Sequence, residues 1–269
     1  AGNMTSSPDS PTSPDSPALV LAVHGSAVPE AAATVGRLCA AVEATGEVRP
    51  VVGHLDVQRP SLGQVLDALA EAGRGRAVVV PLLLGDGFHR TVDIPAELAA
   101  PRRLSCAFTA GLSGEREVAL ALYGRLRQAE GRAGGRADAV VLATAGSSRP
   151  GGNEGARTAA AQLRALLGAE RGAVPVPVPV LPAYCSSTGP TVPEAVERLR
   201  ASGHRRVAIA THLLAPGRFT QALDHAGAWT VAAPLADHPR TARVVLRRYR
   251  ALRAAAPGAT EAVKATEAA

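Results

Sequence analysis

His24 and His89 are the residues whose placement most suggests chemistry. His24 ends the apolar run Ala18-Leu-Val-Leu-Ala-Val and is followed at once by Gly25 and Ser26; His89 ends the loop Gly85-Asp-Gly-Phe-His, which follows a second apolar run. A neutral imidazole is both a transition-metal ligand and a base that titrates near neutral pH. Two histidines without a cysteine partner do not make a closed structural zinc site. They suit an open site, where a metal is held briefly or protons are moved. Either one alone is accounted for by a hydrogen bond to backbone. Together, at equivalent ends of two buried strands, they read as functional. Ser26 invites a nucleophile reading, but the chain has no Gly-x-Ser-x-Gly turn. It also lacks a GxGxxG after its first strand and any GxxxxGK[ST], so dinucleotide and P-loop functions have no phosphate cradle.

These residues need strands and helices to hold them. Residues 18–23 are apolar without alternation, the pattern of a parallel strand covered on both faces. Gly25 permits a sharp turn at its end, and the carboxyl ends of such strands are where open α/β sheets bind ligands. A helix is expected from Pro29 to Thr45 on Val35, Leu38 and Val42, then a strand over Val48–Leu55. Ser61 is placed to cap a helix carrying Leu62, Val65, Leu66 and Leu69, which Gly73 ends. A third strand over Ala77–Leu84 precedes the His89 loop. Asp93-Ile-Pro95 opens a further helix, Leu104–Ala110 is a fourth strand, and Glu115–Glu130 is a helix on Val118, Leu122 and Leu126.

The same order then recurs. Asp138–Thr144 followed by Ala145-Gly-Ser147 matches the first strand and His24-Gly-Ser26, about 121 positions on; Val192–Ala210 matches Leu62–Val80 about 130 positions on. Thr230–Pro234 and Pro239–Leu252 match the fourth strand and last helix. The pattern predicts two tandem α/β units, each a mainly parallel four-stranded sheet with right-handed crossovers. The expected division is a disordered tail over 1–17, a first unit over 18–130, a linker over 131–137, a second unit over 138–256 and a flexible tail over 257–269. The second unit keeps the scaffold and loses the chemistry. Ala145 stands where His24 did, and Leu214-Ala-Pro-Gly-Arg-Phe219 carries no histidine where His89 was. His212, inside a predicted strand, reads as packed rather than as a ligand; His204, His225 and His238 read as surface or cap positions.

The formal charge is +6 and Lys264 is the one lysine, so the excess is arginine. No basic run with interleaved aromatics is present, which disfavours nucleic acid as partner against a small polyanion. Cys39, Cys106 and Cys185 are far apart and form no CxxC, and are expected as free thiols in a reducing cytoplasm. No apolar run approaches the ~20 residues that span a bilayer, so no membrane is expected.

His24-Gly-Ser26, the segment Leu55-Asp-Val-Gln-Arg-Pro-Ser-Leu62 and the segment Val78–Pro95 with its Gly85-Asp-Gly-Phe-His89-Arg together resemble the class II sirohydrochlorin chelatases. The resemblance covers 18–128 strongly and 138–252 more weakly. It implies insertion of a divalent metal, as substrate and not as resident cofactor, into sirohydrochlorin, a tetrapyrrole rich in carboxylates, on the way to sirohaem or cobalamin. His24 and His89 would bind the metal and help remove pyrrole protons. Ser26, Asp56, Arg59 and Arg90 become candidates for substrate contact, Asp56 as an acid at the end of the second strand and the arginines as carboxylate partners. The macrocycle would lie in a cleft between the two units, which replace a homodimer and allow a monomer. The absence of a histidine-rich tract leans the expectation to Fe²⁺ over Co²⁺ and leaves Ni²⁺ open. A carrier or sensor that binds a tetrapyrrole or metal without inserting it is the alternative.

Overall fold

The computed structural model describes residues 16–85, 94–171 and 177–254. Residues 18–23 form β1 (Ala18–Val23), buried at every position as the unbroken apolar run requires. In chain order follow α1 (Pro29–Glu43), β2 (Val51–His54), α2 (Leu62–Glu71), β3 (Arg76–Leu82), α3 (Ile94–Ala99), β4 (Ser105–Phe108) and α4 (Arg116–Ala133). The second half supplies β5 (Ala139–Thr144), α5 (Glu154–Arg171), β6 (Val180–Tyr184), α6 (Val192–Ala201), β7 (Val207–His212), α7 (Arg218–Leu223), β8 (Thr230–Val231) and α8 (Pro239–Arg253).

Each half builds a four-stranded sheet, ordered β2-β1-β3-β4 and β6-β5-β7-β8, and every pairing is parallel. The two long apolar runs of each half therefore lie side by side at its centre, with Val23 opposite Leu82 and Thr144 opposite His212 at their carboxyl ends. Local devices repeat as well. Ser61 caps α2 and Thr191 caps α6, each in a capping box with the residue three positions on. The peptide before the preceding proline is cis in both, at Arg59–Pro60 and Gly189–Pro190.

Several elements differ from expectation at their ends. β2 is shorter than the expected 48–55, β4 shorter than 104–110 and β8 shorter than 230–234. All three are edge strands, where one neighbour alone supplies hydrogen bonds. In contrast, α4 continues three residues beyond Glu130 to Ala133, and Gly134 closes it in the left-handed region (φ 79°). Glu130, buried, is why it can continue: its carboxylate accepts from Arg127 and from the Ala137 amide. The three cysteines are free, and burial raises each thiol above its ordinary pKa.

The halves exchange their last helices. α4 packs on α5 and against β7 and β8 of the second half, while α8 packs on α1 and against β3 of the first. One apolar core consequently runs through both halves, joining Leu21 and Val80 to Leu122 and Leu126, and on to Leu142 and Val245. Polar ties follow the exchange. The buried Tyr249 of α8 donates its hydroxyl to the Pro17 carbonyl (2.7 Å), Arg250 pairs with Glu47, and Arg125 of α4 reaches Asp237 (2.6 Å) and the Pro234 carbonyl (3.0 Å). Among the described residues no helix is long and apolar enough to cross a membrane.

Candidate active site

The carboxyl ends of β1, β3, β5 and β7 open onto a single cleft of about 680 Å³, within the ~300–1,000 Å³ common for small-molecule sites. Both halves line it: His24, Ser26 and Leu84 from the first, and Ala145, His212 and Phe219 from the second. The walls come close at the rim. A methyl group on Gly217 would stand 3.3 Å from Ser26 Oγ, and one on Gly85 would stand 3.6 Å from the Gly152 carbonyl oxygen.

His24 is exposed at the end of β1. The turn after it is strapped by the segment following β2. Leu55 N donates to the Val23 carbonyl (2.8 Å), Gln58 donates its side-chain amide to the Ser26 carbonyl, and Gln58 N donates to Asp56 Oδ1 (3.1 Å). Asp56 consequently lies directly against the turn, and a methyl on Gly25 would meet its Oδ1 at 2.5 Å. Asp56 is not part of the cleft lining, but it backs the peptide that carries His24 into the cleft. Ser26 does line the cleft, and its hydroxyl oxygen accepts the Val28 amide (3.2 Å) at the entry to α1.

Arg59 is exposed on the loop before α2 and does not line the cleft. His89 and Arg90 lie outside the described residues; Leu84 and Gly85, which lead toward them, are in the lining. Among the described residues no group of three or more His, Cys, Asp or Glu is gathered to hold a metal ion. The arrangement thus offers one imidazole on a fixed turn, a carboxylate behind it and a hydroxyl beside it, facing a largely apolar wall.

That opposite wall is not wholly apolar. Ala145 and Gly146 replace His24 and Gly25, Ser186 takes the place of Asp56, and its hydroxyl donates to the Ala145 carbonyl (2.9 Å). His212, however, is 2% exposed and still contributes to the lining. Its Nδ1 is hydrogen-bonded to Thr144 Oγ1 (2.9 Å), its Nε2 is buried without a partner, and burial lowers its pKa from 6.5 to about 4. The expectation that His212 is packed holds, but its place at the cleft escaped the sequence reading. The available signal was Leu82, the apolar residue at the equivalent position of the first half. His238 caps α8 by accepting the Arg240 amide at Nδ1 (3.1 Å), His225 is exposed, and His204 lies 3.8 Å from Asp138.

The CbiX family model matches residues 18–129 and, a second time, residues 139–252. The chain belongs to the CbiX family. It carries the family's unit twice, in agreement with the repeat and with the two sheets. It is 35% identical over 82 residues to the sirohydrochlorin cobaltochelatase of Methanopyrus kandleri, covering 30% of this chain and 57% of that protein. Identity to the sirohydrochlorin cobaltochelatase of Methanocaldococcus jannaschii is 35% over 80 residues, 29% of this chain and 55% of that one. The chain thus spans little more than half the length of the curated relatives it matches. Among solved structures, SirB from Bacillus subtilis with Fe³⁺ superposes with a TM-score of 0.68 at 25% identity, covering 89% of this chain and 96% of SirB. The cobalt complex of SirB from Bacillus subtilis subspecies spizizenii gives 0.65 at 21% identity, over 87% and 94% of the two chains, a likeness of fold.

Proposed function

We propose that this chain is a sirohydrochlorin chelatase, which inserts a divalent metal ion into sirohydrochlorin and releases the displaced pyrrole protons. The observation that carries the proposal is the single cleft at the carboxyl ends of both sheets, walled by both halves and entered by His24. The names of the CbiX relatives and of the metal-bound SirB structures support the same reading.

In this mechanism the macrocycle occupies the cleft with its face toward the β1 turn. His24 and His89 take the incoming metal through neutral imidazole nitrogens and accept protons as it enters the ring. Metal delivery and proton release are linked, because a nitrogen that is protonated cannot ligate. Asp56, against the peptide of Gly25, places a carboxylate behind the turn that carries His24. Ser26 accepts the Val28 amide and retains its O–H to donate to the substrate. Arg90 pairs with a substrate carboxylate. Arg59, exposed on the loop before α2, is the other candidate partner for a substrate carboxylate.

The metal is a substrate, with Fe²⁺ ahead of Co²⁺ and Ni²⁺ third, and the product leads to sirohaem with iron or to cobalamin with cobalt. The two halves supply both walls, so the chain acts as a monomer in the cytoplasm, without nucleic acid or membrane. Anaerobic mixing of protein, sirohydrochlorin and Fe²⁺ or Co²⁺, followed by absorption, tests the proposal and ranks the metals. A rate above the protein-free control is expected. A rate no greater than that control overturns it, and binding without metallation leaves a carrier.

A further inference from the structure

The second half is more than an inert wall. At the end of its two central strands it carries a polar pair, Thr144 and His212, where the first half carries the apolar pair Val23 and Leu82. The first-half pair shows that the fold closes well with two hydrocarbons in this register. The second-half pair instead leaves Nε2 of His212 buried and unpartnered, an arrangement that costs stability and adds nothing to packing. The ring is also held in one orientation, since Nδ1 is bonded to Thr144 Oγ1 (2.9 Å), and both side chains line the cleft. A ring held at one nitrogen, with the other unsatisfied and shut off just behind the wall of a ligand-sized cleft, is completed by a ligand whose entry shifts the turns at the rim enough to reach it.

We propose that His212 is a substrate-binding residue of the second half: its Nε2 makes a hydrogen bond to a polar atom of the tetrapyrrole held in the cleft. This rests on the chelatase reading for the identity of the ligand. Burial keeps the ring neutral at physiological pH, so the contact is a directional hydrogen bond and not an ion pair with a carboxylate. The role differs from that of His24, which stands exposed on a turn. His212 would orient the macrocycle from the opposite wall, so that its face meets the metal-bearing side.

The test copies the first-half pair into the second half, as the double variant Thr144→Val/His212→Leu. Metal-free sirohydrochlorin is titrated against the unaltered chain and the variant, with binding read from its fluorescence and folding from thermal melts. The double variant is expected to melt at a higher temperature, because the unpartnered nitrogen is gone, and to bind metal-free sirohydrochlorin about tenfold more weakly. His212→Gln, which keeps a polar side chain, is expected to recover part of that loss. Binding of the double variant within twofold of the unaltered chain overturns the proposal, and leaves the chelatase reading intact if metallation persists. Tenfold weaker binding in a chain that does not metallate sustains this proposal while the chelatase reading fails. No binding by the unaltered chain overturns both.

Discussion

At the ends of β1 and β5 the equivalent position carries His24 in one half and Ala145 in the other, and both strands are fully buried and paired alike. The imidazole is therefore dispensable for folding. His24→Ala should shift the melting temperature by less than about 2 °C, the range of exposed substitutions. It should lower the metallation rate at least ~100-fold if the imidazole takes metal and protons; a rate within twofold of the unaltered chain would remove His24 from the site. His212 has a signature of its own in pH. Its folded-state pKa is depressed, so below 6.5 the unfolded chain takes up a proton that the folded chain refuses, and stability is lost as pH falls from 6.5 through about 4. The loss over that window is on the order of 3 kcal/mol. The unaltered chain should lose more thermal stability between pH 7 and pH 4.5 than Thr144→Val/His212→Leu does, and parallel melting curves would contradict this. The two histidines also differ in how far the sequence exposes them. His24 interrupts an apolar run at a glycine turn and is visible there. His212 completes a strand that is buried at every position, and a histidine in that setting looks packed until its partner strand is known.

At the scale of elements, the glycines after β1 and β5 sit under the segments that follow β2 and β6, but under different atoms. A methyl on Gly25 meets side-chain oxygens of Asp56 and Gln58, at 2.5 and 2.6 Å, which can swing away. A methyl on Gly146 meets the Ser186 carbonyl oxygen at 2.1 Å, and the residue has φ 90°, so neither backbone nor conformation can yield easily. Gly25→Ala should cost less stability in urea than Gly146→Ala, by displacing the Gln58 strap, and should slow metallation, since the Asp56 carboxylate is displaced from the turn. Gly146→Ala should cost ~2 kcal/mol or more of stability in the same titration. Equal losses for both would mean that the two turns are held alike. Most of this level was legible beforehand. Central strands, the Ser61 cap and the repeat all follow from apolar runs and cap chemistry. Edge-strand ends were not, because β2, β4 and β8 stop where a single neighbour stops, and the neighbour's register is not written in the strand itself.

For the whole molecule the exchanged helices dominate. The periodicity of Val118, Leu122 and Leu126 tells which face of α4 is buried, but not that β7 and β8 bury it. The exchange was therefore invisible to a reading that assigned each helix to its own half. It predicts that the intact chain unfolds in one calorimetric transition, with equal van 't Hoff and calorimetric enthalpies. A fragment ending at Ala137 lacks α8 and leaves α1 and β3 uncovered, so it should fold only as a dimer in which α4 of a second copy takes that place. Sedimentation and circular dichroism over a dilution series check this, and a folded monomeric fragment would refute it.

Two bodies joined by a short tether can swing about it, and a cleft between them opens and closes like a jaw. Here each sheet is roofed by a helix belonging to the other half, and a single core threads the joint. Rotation of one sheet against the other would drag α4 and α8 across surfaces into which they are packed, uncovering apolar area on both sides at once. The gap between the walls is in effect a fixed gauge. A ligand is admitted or refused by its thickness, and whatever adjustment accompanies its entry falls to the turns at the rim.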